Sequence, residues 1–316
     1  MPASRNADPE TLLKVWHQFR FDCTESGVVA TSPLAQSRKQ QSGVVVMFRK
    51  FAAMGIGLVT ICALGSASAQ QAEQAKEKPT WKGPFGGTFT ATIAGVTDYS
   101  YRGISQTQRQ AALQPSFGYE TAPFAESVPV SAYIGAWGSN VNFPNTGASP
   151  EIDLSAGFRA KALNEKLTVD LGYIRYNYVG ADSLLQLDFN EYGLVVGYDF
   201  GPVALSGAVR YSPQFFANTG HAWYKWAQAV VPLSFIRVND DISFKAFGTL
   251  GTQYVERNLA YGISRNDYWD WQVGITATVY GVDLTLAYTD TSVHGVDCGN
   301  TANCDARAIF MISKTF

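Results

Sequence analysis

The sequence has little charge. Only 16% of its 316 residues are Asp, Glu, Lys or Arg, against roughly 25% in ordinary soluble domains. It has no positive excess either: 24 basic and 26 acidic residues leave a formal net charge of −2, which excludes the basic face of a nucleic-acid binder. Apolar runs long enough to span a membrane as helices are missing, and the mean hydropathy of −0.05 excludes a helical membrane protein. No segment keeps a helical period, and no Gly-rich phosphate loop or fixed-length repeat occurs. Nothing implies a cofactor. What is present is 13% aromatic residues and 29 glycines, a composition that suits β-structure with one apolar face.

The one sustained apolar run follows Met47. Arg49 and Lys50 form a positive start, residues 51–64 are apolar, and Ala67-Ser68-Ala69 is a small-x-small cleavage site before Gln70. This pattern predicts a secretory signal peptide over 47–69, cut between Ala69 and Gln70. A membrane anchor would need about 20 apolar residues. Residues 1–46 are polar and would bury a signal that must lead the chain, so they are expected to be an upstream extension from a start assigned too early, the alternative being a long leader with its own role. Residues 70–86, with Pro79 and Pro84, are expected to be a flexible periplasmic leader, and 87–316 the folded domain. The leading 69 residues hold seven of the basic and four of the acidic residues, leaving 17 against 22, a net charge of −5.

Of four cysteines, Cys23 and Cys62 lie upstream of the cleavage site. Cys298 and Cys304 remain, in "DCGNTANCD". In an exported, oxidising context the pair predicts a disulfide. The alternative, a metal pair, has only His294 as a nearby partner, so no metal site is expected.

From Gly87 onward the period is two. Over 88–102, Phe89, Ile93, Tyr99 and Tyr101 share one parity, and Asp98, Ser100 and Arg102 the other. Such alternation marks a two-faced strand. About twelve strands are expected, over 88–102, 111–119, 128–138, 151–160, 165–176, 190–200, 203–211, 222–235, 241–255, 267–279, 282–289 and 305–316. Their connections alternate: short ones such as "ALNE", "GP", "RVND" and "YG", then long ones such as "SNVNFPNTGASP" and "DTSVHGVDCGNTANC". This is the pattern of an all-β, antiparallel up-and-down transmembrane β-barrel, with both termini periplasmic and the long loops outside. Closure would satisfy every backbone group where no water is available.

Aromatics fall where a membrane barrel carries its girdles. Tyr99, Tyr101, Tyr211, Trp269, Trp271 and Tyr288 are expected at the outer rim, and Tyr198 and Phe200 at the inner. The terminal strand, with Phe310, Ile312 and Phe316 on one parity, has the form that the outer-membrane barrel assembly machinery reads. Lys314 breaks that parity and is expected to snorkel. A soluble lipocalin-like barrel is the alternative fold; it needs its apolar face inside.

"VTDYSYRGISQTQRQAALQPSFGYE", "YIGAWGSNVNF", "EIDLSAGF", "VDLGYIRYNYVG" and "CDARAIFMISKTF" together resemble the TorF family of porin-like proteins, proteobacterial outer-membrane barrels long classed as conserved proteins of unknown function. The resemblance covers roughly 88–316. It implies an outer-membrane barrel of a Gram-negative bacterium, with pore activity.

Parity predicts the charges facing the lumen: Asp98, Arg102, Asp153, Arg159, Asp170, Glu191, Asp199, Arg210, Lys245, Asp270, Asp283 and Arg307. Seven acids against five bases give at most a weak cation preference; equally, these charges can pair across the lumen and only stabilise it. The expected activity is passive diffusion of small hydrophilic solutes through a lipid-embedded pore. An enzyme, such as a lipid or peptide hydrolase, would need a nucleophile with a base in reach. The exported part holds only His221 and His294, both expected in outer loops, and neither lies in a recognisable arrangement. The chain is therefore read as a non-enzyme, with a barrel hydrolase or a structural or adhesive barrel as alternatives. The stretch "DYSYRGISQTQ" is expected to be a strand end, with Tyr99 and Tyr101 toward lipid and Gly103 letting the backbone leave the strand.

Overall fold

The computed structural model describes residues 83–125 and 129–316. The expected extension over 1–46, the signal peptide with Ala69 and Gln70, and the leader as far as residue 82 lie outside the described residues. The strands are β1 (Thr88–Val96), β2 (Ser100–Tyr101), β3 (Ile104–Ser105), β4 (Ala112–Glu120), β5 (Val130–Ser139), β6 (Glu151–Ala162), β7 (Leu167–Tyr178), β8 (Phe189–Asp199), β9 (Ala204–Ser212), β10 (Ala222–Pro232), β11 (Ile242–Val255), β12 (Asp267–Val279), β13 (Val282–Thr291) and β14 (Arg307–Thr315).

Twelve of these close an antiparallel barrel in the ring order β1-β14-β13-β12-β11-β10-β9-β8-β7-β6-β5-β4. Closure comes from β1, which pairs with β4 on one side and with β14 on the other, Gly95 lying opposite Leu113 and Ile312. The Phe316 N–H then donates to the Ala91 carbonyl at 2.8 Å, extending this seam to the last residue. Strands of 9–14 residues fit the length that crosses hydrocarbon at a tilt. The remaining pair, β2 and β3, is a separate two-stranded hairpin.

The faces run opposite to those of a soluble protein. On β8, Tyr192, Leu194 and Val196 are exposed, while Glu191, Gly193, Val195 and Gly197 are buried. On β6, Ile152, Leu154 and Phe158 point out; Glu151, Asp153 and Ser155 point in. A continuous exposed belt of large apolar side chains is stable when its solvent is hydrocarbon, not water. This is a transmembrane barrel, and it removes the lipocalin-like alternative.

Two boundaries differ from the alternation pattern by more than two residues. The eighth wall strand, β10, stops at Pro232, short of residue 235, with one further backbone bond from Leu233 N to Phe244 O at 2.8 Å. The connection to β11 is therefore residues 233–241, longer than "RVND". The first strand stops at Val96 and not at 102. The chain then turns into the barrel.

Candidate functional site

That inward turn is built by Asp98. Its Oδ1 accepts from Ser105 Oγ at 2.5 Å and from Thr107 Oγ1 at 2.8 Å. Its Oδ2 is bound by Arg307 of β14. The backbone closes the same bend, with Gln106 N donating to Tyr99 O at 2.7 Å. Between these ties lies the β2–β3 hairpin. Its turn residues, Arg102 and Gly103, have φ of 50° and 81°, the paired positive values of a tight type I′ hairpin. Gly103 is required there. A Cβ would lie 2.3 Å from Thr291 Cγ2 and 2.9 Å from Asp270 Cβ, so the backbone is pressed against the wall.

The hairpin carries Arg102 across the lumen. From β1, the strand that bears Glu191 is five places round a ring of twelve, almost diametrically opposite. Yet Arg102 Nη2 donates to both Glu191 oxygens at 2.6 Å. Arg102 Nη1 also donates to Gln253 Oε1 of β11. The guanidinium lies 4.2 Å from the Tyr224 ring centroid, 4.5 Å from Tyr101 and 5.8 Å from Phe215. Arg102 and Glu191 are each only 1% exposed.

Aromatic packing fills the space around this pair. Tyr176 of β7 stacks on Phe189 of β8 at 4.2 Å between ring centroids. Phe215, from the loop after β9, meets Phe189 edge-on. Tyr101 meets Tyr176, and Tyr99 meets Trp137 of β5. The buried apolar cluster thus lies inside the barrel, at the end that carries the long loops. Tyr99 and Tyr101 were expected at the lipid girdle; they are instead 2% and 5% exposed within it. Parity cannot be carried past Val96, because the backbone there leaves the strand. Of the other residues expected at the girdles, Trp269, Tyr288 and Phe200 are exposed, and Tyr198, Tyr211 and Trp271 half-buried.

Of the charges expected to face the lumen, Asp98, Arg102, Asp153, Arg159, Asp170, Glu191, Arg210, Lys245, Asp270 and Arg307 are buried inside the barrel. Asp199 and Asp283 are half-buried. Asp199 Oδ1 accepts from Gly201 N at 2.7 Å and so caps a turn. Asp283 Oδ1 accepts from Thr278 Oγ1 across the β12–β13 pair at 2.6 Å. Near the short-turn end, Arg159 joins Asp170 at 3.0 Å and Glu120, with its guanidinium 4.8 Å from the Tyr133 ring. Arg102, Arg159 and Arg307 therefore each lie against a carboxylate.

Sequence reasoning missed Glu151, which is 1% exposed and shares the parity of Asp153. It opens its strand, where a loop residue and a wall residue look alike. It also missed Gln253, Tyr176 and Tyr224, which are inward because their strands' burial alternates so, but whose residue types fit either face.

Cys298 and Cys304 form a disulfide, with their Cα atoms 6.1 Å apart. The seven-residue ring it closes holds the hairpin from outside: Asn303 O accepts from Ser105 N at 2.9 Å and from Arg307 Nη1 at 3.2 Å. Both histidines of the domain sit on long loops. His221 Nδ1 lies 2.9 Å from Glu256 Oε2, and His294 Nδ1 lies 3.6 Å from Asp305 Oδ1. The His221 backbone N–H, then its ring, holds the Glu256 carboxyl below its ordinary range. Among the described residues no group of three His, Cys, Asp or Glu is placed to hold a metal ion.

A family described as "Bacterial protein of unknown function (Gcw_chp)" matches residues 80–316. No curated relative matches the sequence. Among solved structures, the NanC porin aligns over 71% of this chain and 98% of its own, with 10% identity and a TM-score of 0.43. LpxR from Salmonella typhimurium aligns over 72% and 99%, with 12% identity and a TM-score of 0.39. The outer membrane channel DcaP of Acinetobacter baumannii aligns over 75% and 99%, with 10% identity and a TM-score of 0.35. The fold assignment rests on the strand pairing itself.

Proposed function

We propose that this chain, which belongs to the Gcw_chp family of bacterial proteins, is an outer-membrane channel for small hydrophilic solutes whose lumen is closed by its own first long loop. The observation that carries this reading is the hairpin over 100–105, stretched across the barrel and tied to the far wall by the buried Arg102–Glu191 pair. Ionisable groups at membrane depth are costly, and in membrane proteins they mark pathways and moving parts. A barrel serving only as a scaffold needs neither. The closing element is a loop, not the wall, and its ties are ionic and hydrogen-bonded, so they can be exchanged for solvent or solute.

In this reading the long loops face outward and both chain termini are periplasmic. Residues 47–69 direct export, and Phe310, Ile312 and Phe316 are read by the assembly machinery. The TorF resemblance, carried by the quoted motifs, supports the same placement. A permanently closed structural barrel is the second reading. It is favoured by the burial of inward residues well below the plug, such as Phe247 and Thr285.

Liposome swelling separates them. Vesicles bearing the full chain are expected to swell slowly in small sugars. Vesicles bearing a variant without residues 99–106 are expected to swell several-fold faster. Equal, background rates from both proteins, each shown to be folded by heat-modifiable migration, would overturn the channel.

A further inference from the structure

We infer that the wall cage now filled by Arg102 is a binding site for small organic cations of the guanidinium class, and that Arg102 is its built-in competitor. The inference rests on the reading of the hairpin as a movable plug. Three observations carry it. First, the cage already holds a guanidinium. One of its nitrogens donates to both Glu191 oxygens at 2.6 Å, another to Gln253, and its Cζ lies 4.2 Å from the Tyr224 ring centroid. Carboxylate and amide acceptors beside aromatic faces are the chemistry that recognises such cations.

Second, most of the cage belongs to the wall and not to the hairpin. Glu191, Tyr224, Gln253 and Asp270 sit on β8, β10, β11 and β12, and Phe215 on a separate loop. Only Tyr101 departs with Arg102. Asp270 is oriented by Tyr224 Oη, which donates to its Oδ1 at 3.1 Å, while its buried Oδ2 has no hydrogen-bond partner. The wall thus has acceptor capacity that the arginine does not use.

Third, the charge balance favours a cation. With the hairpin in place, Arg102 answers Glu191 and Asp98 answers Arg307. With it withdrawn, the cage lining keeps the buried carboxyls of Glu191 and Asp270 and has no basic residue among Glu191, Tyr224, Gln253, Asp270 and Phe215. Acidic groups without a base beside them attract positive solutes and repel anions.

Calorimetric titration of the full chain with methylguanidinium chloride tests this. The wild type is expected to give no saturable heat. Arg102→Ala, which empties the cage, is expected to bind the ion saturably. R102A/E191Q is expected to lose that binding, and methylammonium to bind R102A more weakly than methylguanidinium. Arg102→Met, which keeps the contact with the rings, is the second variant should R102A fail to assemble. A heat-modifiable, folded R102A or R102M that does not take up methylguanidinium overturns the inference. So does failure of both variants to fold, since a ligand site must survive without its internal arginine. Binding is read without conduction: current without binding would sink the cage alone, and binding without current would sink the gate alone.

Discussion

Arg102 and Gly103 decide how the first loop behaves. The glycine occupies a φ of 81° with the wall closer than a Cβ allows, so Gly103→Ala is expected to push the turn off Thr291 and Asp270. The cost should exceed the ~1 kcal/mol of an ordinary misplaced Gly→Ala change, visible as a lower urea midpoint of the folded barrel. The tyrosines beside it give a second check. Tyr101→Trp is expected to escape quenching by brominated lipid, whereas Tyr288→Trp, on the exposed face, is expected to be quenched; quenching at 101 would restore the lipid-facing placement. The sequence made the interior charges legible because inward parity and polarity coincide in a membrane barrel. It left Tyr99 and Tyr101 on the wrong face because aromatic residues suit both a girdle and a plug. Nothing local says that β1 has ended at Val96; the tie there, Asp98 to Arg307, joins residues 209 positions apart.

The twelve wall strands could be read from alternation and from the alternation of short and long connections. The hairpin could not: two residues per strand are too few to show a period. Its support from the last long loop was equally hidden, since it runs through backbone atoms, Asn303 O to Ser105 N. The disulfide itself was legible from compartment and spacing. Cys298→Ser with Cys304→Ser is expected to lower stability by about 2 kcal/mol, the entropic estimate for so short a ring, measured by urea unfolding from vesicles. Because that ring holds Ser105, hydrogen exchange over 98–107 should rise in the same variant. Unchanged exchange there would mean that the hairpin is fixed by the wall alone.

The molecule as a whole is an apolar belt around an interior of ion pairs and aromatic rings. Its seam is closed by the terminal residues: Phe316 bonds Ala91 through the backbone and exposes its ring outside, beneath the Lys314 ammonium 5.6 Å away. Deleting Phe316 is expected to slow assembly into vesicles several-fold with purified assembly machinery, yet to leave the barrel, once formed, resistant to mild heating; a barrel that assembles at the wild-type rate would remove this residue's role as a signal. The central claim is that a loop, tied to the far wall by the buried Arg102–Glu191 pair, closes a channel. Single-channel recording of the wild type and Arg102→Ala in planar bilayers tests it most directly. The wild type should show rare, brief openings and the variant a sustained, cation-preferring current. A folded Arg102→Ala barrel as silent as the wild type would contradict the account.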